Sequence, residues 1–212
     1  MQNVAVVTGD LVNSRAIPPD HYDQVRYVLN AQLADWTERD GDSHEFFGGD
    51  SFQAVILTPE SAMRKSLLLR LALHSEAIGE RKQDIRLSIG LGKVDAIRTH
   101  TASSTGKAFE LSGLGIKNLK QQRLGIFSDN PTFQLIFELL TRFVDARLQE
   151  NTAKQSEALY HFIASNFQSH DIIANKLQTS RSNVSKLLRR SHATLIADYI
   201  KLYEQQVRKE FG

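Results

Sequence analysis

Cysteine is absent from this 212-residue chain, which removes disulfides, thiolate metal sites and thiol nucleophiles together. The absence fits a reducing compartment, and a cytoplasmic location is the expectation. The first residues, MQNVAVVTGDLVNSR, lack the basic start and long apolar stretch of a secretory signal. No apolar run approaches the ~18 residues that span a bilayer, so no membrane partner is expected. The seven histidines are scattered, with no metal-ligand spacing, and zinc is not expected. No Gly-x-x-x-x-Gly-Lys followed by Ser or Thr occurs, which argues against a P-loop. There are no repeats or low-complexity tracts.

What is present is an ordinary globular composition, 41% apolar and 24% charged. The length suits one large domain or two small ones. Net charge is +2, unevenly spread: residues 151–212 carry 9 Lys/Arg against 5 Asp/Glu, and residues 1–150 carry 17 against 19. A mildly acidic body with a basic tail is one pattern of a protein that touches nucleic acid. A solvated basic helix surface would give the same count.

Apolar spacing sets out the elements. Residues 3–8 (NVAVVT) form a β-branched run that stops at Gly9-Asp10 and reads as a buried strand. Pro18-Pro19-Asp20 opens a helix with Tyr22, Val25, Val28, Leu29, Leu33 and Trp36 on one face. Residues 45–47 and 51–57 flank Gly48-Gly49-Asp50 as a hairpin. A helix is expected over residues 61–79, a strand over 84–91, a helix over 104–121 and a short strand over 124–127. The order β-α-β-β-α-β, with a further α-β, predicts an α+β, ferredoxin-like fold with helices covering one face of an antiparallel sheet. The expected division is an α+β domain over residues 1–130, a connecting helix within 131–150 and a helical domain over 151–212.

Two carboxylates stand where chemistry is expected. Asp10 lies at the end of the first strand and Asp50 at the hairpin tip. If the hairpin pairs beside that strand, both emerge at one edge of the sheet. Two carboxylates, with the Leu11 carbonyl nearby, suit Mg²⁺ or Mn²⁺, which takes one or two carboxylates, waters and substrate phosphates. The loop Val12, Asn13, Ser14 and Arg15 would meet a triphosphate through its backbone N–H groups, with Gly48, Gly49 and Ser51 on the opposite wall. The same residues are also ordinary turn chemistry, and a Gly-Gly-Asp hairpin needs no ligand. Lys93, Arg98 and Lys107 flank this region.

The stretches FFGGDSFQAVI and VVTGDLVNSR resemble the signature hairpin and the first strand with phosphate loop of GGDEF domains and class III nucleotidyl cyclases. Together with IRLSIGLGKV and STGKAFELSGLGI, in that order, they resemble the SatD family of bacterial proteins over nearly the whole chain. The resemblance implies a cyclase-like domain with Asp10 and Asp50 as the two metal-binding carboxylates. It also implies departures. GGDEF enzymes carry Glu at the position of Ser51, adenylyl cyclases carry a base-selecting Lys where Phe46 stands, and cyclases place Asn and Arg on the late helix where GKAFELSGLG offers Glu110. Losing an Arg clamp on a transferring phosphate removes a large stabilising interaction. The implied domain is therefore a degenerate one that binds nucleotide with weak or no turnover.

In the tail, Leu159, Phe162, Ile163 and Phe167 form the stripe of a supporting helix. HDIIANKLQTSRSNVSKLLRR follows, with Ile173, Ala174 and Leu177 on one short helix, a turn at Gln178-Thr179-Ser180, and Val184, Leu187 and Leu188 facing inward from the next. This resembles the helix-turn-helix of bacterial regulators, which usually has Gly where Gln178 stands. Arg181, Ser182, Asn183 and Lys186 would face base edges, with Arg189 and Arg190 nearer phosphates. The stripe Ile196, Tyr199, Ile200, Tyr203 and Val207 on the last helix reads as core or dimer seam. The leading expectation is a DNA-binding regulator that senses a nucleotide, with a homodimer as one arrangement. The alternatives are an active nucleotidyl cyclase or nucleotidyltransferase, and an interaction protein with neither activity.

Overall fold

A computed structural model describes residues 2–76, 82–98, 101 and 104–212. The first strand, β1 (Asn3–Leu11), is buried along almost its whole length. That explains its apolar run: both faces are covered, so no polar alternation is needed. Pro18 and Pro19 start α1 (Pro19–Asp40), where a missing N–H costs nothing in the first turn. Its buried side chains are Val25, Leu29, Leu33 and Trp36, as the periodicity predicts, and Gly41 closes it in the left-handed region at φ 71°.

The hairpin is β2 (Ser43–Phe47) and β3 (Ser51–Ile56). Gly48 and Gly49 take φ 57° and 96° at its tip, where other residues would be strained. A 3₁₀ turn at Pro59–Ser61 leads into α2 (Ala62–Ser75). This helix begins one residue after, and ends short of, the expected 61–79, and residues 77–79 of that expectation lie outside the described residues. Then come β4 (Ile85–Ala96), β5 (Thr105–Gly106), α3 (Lys107–Asn118) and β6 (Leu124–Ser128). β4 runs five residues beyond the expected end because its far half pairs with β5.

The sheet order is β2-β3-β1-β4-β5, antiparallel throughout, and β6 adds a parallel pair to β4. The first four strands have the ferredoxin-like order, so the expected α+β class stands. One detail is corrected: the helices do not share a face. Ala5, Val7, Phe52, Ala54, Ile89 and Leu91 share a core with α1 and α2. Val4, Val6, Val55 and Val94 instead bury against Ala108 and Phe109 of α3 on the other side. Glycines on β4 make that second approach close. A Cβ on Gly90 would lie 2.3 Å from the Ala108 carbonyl oxygen and 2.5 Å from the Ser112 nitrogen.

The remaining helices are α4 (Pro131–Glu150), α5 (Ala153–Ala164), α6 (His170–Lys176), α7 (Arg181–Arg190) and α8 (Ala193–Phe211). Asn130 caps α4 by accepting from Thr132 and Phe133, and Thr152 with Gln155 forms a capping box on α5. The helical tail shares one continuous apolar core with α1 and α2, running from Ala5 to Phe211. Polar ties cross the same junction: Arg64 pairs with Glu204 at 2.7 Å, the Tyr203 hydroxyl donates to the Pro59 carbonyl at 3.1 Å, and Asn3 donates to the Phe211 carbonyl at 3.0 Å. The stripe Ile196, Tyr199, Ile200, Tyr203 and Val207 is buried in this core.

A buried ionic cluster joins α2, the residue that precedes β4, and α4. Arg70 is fully buried and donates to Asp84 at 2.8 and 3.1 Å and to Asp145 at 2.6 Å. Burial opposes its charge, but the two carboxylates outweigh that and raise its pKa above the ordinary value. His74 lies 2.8 Å from Asp84. Lys82 donates to the carbonyls of Leu148, Gln149 and Asn151 at the end of α4, where a cation suits the helix dipole.

Candidate functional site

Opposed residues of paired strands point to the same side of a sheet. Asp10 faces Ser51 on β3 and Arg86 on β4, so three polar side chains form one cross-strand row beside the hairpin tip. The Ser51 hydroxyl lies 3.1 Å from Asp10 Oδ1 and 3.4 Å from Asp50 Oδ1. One hydroxyl therefore touches both carboxylates. Ser14 donates to the other oxygen of Asp50 at 2.6 Å, and Arg86 pairs with Asp10 Oδ2. Ser51 thus brings Asp10 and Asp50 together at a partly open end of the sheet.

The next row on the same face is also polar: Gln53 faces Thr8 and Thr8 faces Ser88. Gln53 donates to the Thr8 hydroxyl at 3.3 Å, which lies 2.6 Å from the Ser112 hydroxyl of α3. A β-sheet face against a helix would normally be apolar. Here two rows of hydroxyl, amide, carboxylate and guanidinium run from the mouth toward α3.

Of the other site residues, Asn13 and Arg15 are exposed, and Asn13 holds a left-handed φ of 54°. The loop does not present a free row of N–H groups. Val12 N–H donates to the Asp84 carbonyl and Leu11 N–H to the Asp50 carbonyl, each at 3.0 Å. The Leu11 side chain lies in the core. A short 3₁₀ turn at Ser14–Ala16 separates this loop from α1. The phosphate-loop expectation over Val12, Asn13, Ser14 and Arg15 is thus corrected at Val12, whose N–H is spent on the fold. Lys93, Arg98 and Lys107 are exposed, and Lys107 pairs with Glu110 at 3.3 Å.

Two arginines escaped the sequence reading. Arg86 is the second residue of a strand whose neighbours were unknown, so nothing marked it as facing Asp10. Arg26 lies on α1, where it donates to the Gly49 carbonyl and covers the Phe46 ring at 3.9 Å. A Cβ on Gly49 would sit 3.0 Å from the Tyr22 hydroxyl. Tyr22 and Arg26, one helical turn apart, clamp the hairpin tip that carries Asp50.

The donors are hard oxygens, which match Mg²⁺ or Mn²⁺. Asp10 and Asp50 would hold such an ion, with waters and phosphate oxygens completing its shell. Among the described residues no group of three or more His, Cys, Asp or Glu forms a metal cluster.

In the tail, Gln178 adopts a left-handed φ of 49° between α6 and α7, a conformation that favours Gly. Ser180 caps α7 by accepting from Asn183 N–H at 3.2 Å. Val184 and Leu188 are buried, and Arg181, Ser182, Asn183, Lys186, Arg189 and Arg190 are all exposed. Arg181 lies 3.3 Å from Asp171, and Asn183 donates to Thr179 at 3.1 Å.

No family model and no curated protein matches this chain. Among solved structures it is similar to a bacterial light-regulated adenylyl cyclase, at 14% identity and TM-score 0.43, over 59% of this chain and 75% of that one. It is similar to the guanylyl cyclase Cya2 at 18% identity and TM-score 0.42, over 62% and 77%. It is also similar to the active GGEEF domain of a diguanylate cyclase from Vibrio cholerae at 14% identity and TM-score 0.41, over 60% and 83%. No helix among the described residues is long and apolar enough to cross a membrane.

Proposed function

We propose that this protein is a DNA-binding regulator whose α+β part takes up a nucleoside triphosphate or related nucleotide with Mg²⁺ or Mn²⁺. The observation that carries the nucleotide part is the shared contact of Asp10 and Asp50 on Ser51, with Arg86 alongside. In this reading the two carboxylates hold the ion, and Ser14 and Arg15 approach the phosphates. Arg86 answers the second negative charge that a triphosphate brings. The bound ion would neutralise phosphate charge. The half-buried polar pair Thr8 and Gln53 lies beside the mouth, where sugar or base would extend. Ser51 and Glu110 stand where the resemblance places catalytic Glu and an Asn/Arg pair, which supports binding with weak turnover.

A thermal-shift series with nucleoside triphosphates, with and without Mg²⁺ or Mn²⁺, tests this. A ligand that binds only the native state raises the melting temperature, by about 2.7 kcal/mol of stability at a hundred times Kd. The shift should require the metal and vanish in Asp10→Asn and Asp50→Asn. A metal-independent shift, or one retained by both variants, overturns the site.

The DNA part draws on α7, whose six polar residues form one exposed surface on a capped, well-packed helix. Gel-shift titrations of the full chain against genomic fragments at rising salt test it. Each neutralised phosphate adds about −0.9 to the slope of log K against log salt, so Arg189→Ala or Arg190→Ala should flatten that slope by about one. Absence of binding at low salt refutes this part alone. Arg86 also favours a second reading, a nucleotidyl cyclase or nucleotidyltransferase, because it brings a guanidinium to the carboxylates that the late helix does not supply. Metal-dependent pyrophosphate release abolished by Asp50→Asn would establish that reading instead.

A further inference from the structure

We propose that the outer face of α4, with the groove beside it, is a twofold self-association surface whose occupant is a second copy of this chain. One side of α4 belongs to the core, with Phe133, Phe137, Val144 and Leu148 buried. The opposite side should then be polar, as on a surface helix. It carries Leu135, Ile136, Leu139 and Phe143 instead, with Leu135 76%, Leu139 53% and Phe143 65% exposed. Their spacing places all four on one stripe of the helix. Alongside, α8 adds exposed Leu195 and Leu202. Between the helices lies an open groove of about 520 Å³, walled by Leu140, Phe143, Leu195, Tyr199 and Leu202.

Single exposed leucines are normal on a protein surface, whereas a contiguous patch marks an interaction site. At on the order of 150–250 Å² for a large side chain, these six residues leave roughly 600 Å² of apolar surface. That is the upper end for a monomer and near the ~800 Å² that each partner brings to a standard interface.

The charges beside the stripe identify the occupant. Glu138 and Arg142 are exposed on the same flank, two residues either side of position 140. When a second α4 lies antiparallel across a twofold axis, residues equally far from the midpoint meet. With the axis at position 139, Leu135 then faces Phe143 and Leu139 faces its own copy, and Glu138 of each copy lies within two residues, about 3 Å along the helix, of Arg142 of the other. The ion pair forms twice. A parallel twofold pairing would put the Glu138–Arg142 flanks on opposite sides of the seam, so that no ion pair forms. The patch is thus complementary to itself in one orientation, which is what an isologous interface requires. The surface is separate from the Asp10–Asp50 site, and the inference does not depend on nucleotide or DNA binding.

Sedimentation equilibrium on the full chain, from low micromolar to near-millimolar concentration, tests this. The mass should approach twice the 23.9 kDa of the single chain. Leu139→Glu and Phe143→Glu should remain monomeric throughout, with unchanged circular dichroism because both positions face solvent in the single chain. Glu138→Arg should weaken association about tenfold, two ion pairs becoming two repulsions. Adding Arg142→Glu to it should restore association to within a few-fold of the parent. A parent chain that stays monomeric, a dimer that survives Leu139→Glu and Phe143→Glu, or a double exchange no better than Glu138→Arg would each overturn the proposal.

Discussion

Asp10 on β1 and Arg86 on β4 stand directly opposite each other and form an ion pair at the mouth of the sheet. The pair satisfies Asp10 when no other cation is present, and it sets the terms on which a metal ion enters. Removing the guanidinium takes away a competing positive charge. Arg86→Gln is therefore expected to raise Mn²⁺ affinity in the absence of nucleotide about three- to tenfold. If Arg86 also meets phosphate, the same variant loses nucleotide affinity. Titration calorimetry with Mn²⁺ alone and then with nucleotide separates the two, and unchanged affinity in both would leave Arg86 a purely structural residue.

Ser51 is the hydroxyl shared by the two carboxylates. Ser51→Glu places a third carboxylate among them, so like-charge repulsion should lower the melting temperature without metal. Mn²⁺ should restore it, with affinity about tenfold above the parent. Differential scanning calorimetry with and without Mn²⁺ reads both effects. A variant destabilised equally in both conditions would show that the three groups do not converge on one ion.

The Arg70 cluster predicts an acid limb in stability. Burial holds His74 below the ordinary 6.5 despite the pull of Asp84. Asp84 would be raised by burial, but His74 and Arg70 hold it below the ordinary 3.8. Both folded-state values are depressed, so the unfolded chain binds more protons and stability falls as pH falls. The loss begins below 6.5 through His74 and steepens below 3.8 through Asp84. Asp84→Asn should cost about 3 kcal/mol at neutral pH, because Arg70 stays buried with one partner fewer. It should also flatten the steeper limb, as urea titrations across pH would show.

Gly90 marks where α3 crosses the sheet. A methyl group there meets the backbone of Ala108 and Ser112, which cannot rotate away as a side chain can. Gly90→Ala is expected to destabilise by about 2–3 kcal/mol, whereas Gly113→Ala, with open space around its Cβ position, should stabilise α3 slightly by helix propensity. Equal effects from the two would mean that α3 is not held against β4.

Gln178 supplies a milder test of the tail. Its left-handed backbone costs roughly 1 kcal/mol for a residue with a Cβ. Gln178→Gly should recover about 0.5–1 kcal/mol after the entropy cost of glycine in the unfolded chain. A loss of stability on making that change would show that the side chain contributes contacts that outweigh the strain.

Local patterns carried much of this molecule. The β-branched run of β1, the Gly48-Gly49 tip, the apolar face of α1 and the cap at Ser180 are each decided within a few residues, by strand burial, positive φ, helical periodicity and an orphan N–H. The strand order that joins Asp10 to Asp50 was legible too, because β-α-β-β-α-β admits few arrangements. Tertiary structure alone decided that α3 covers the second face, since Gly90 and Ser112 matter only once two distant segments touch. It decided that Arg86 meets Asp10, because strand register is a property of paired strands and not of one of them. It turned the apolar stripe of α8 inward and left Leu135, Leu139 and Phe143 of α4 outside, a choice between two apolar faces that periodicity presents as equals and that only the shape of the remaining core resolves.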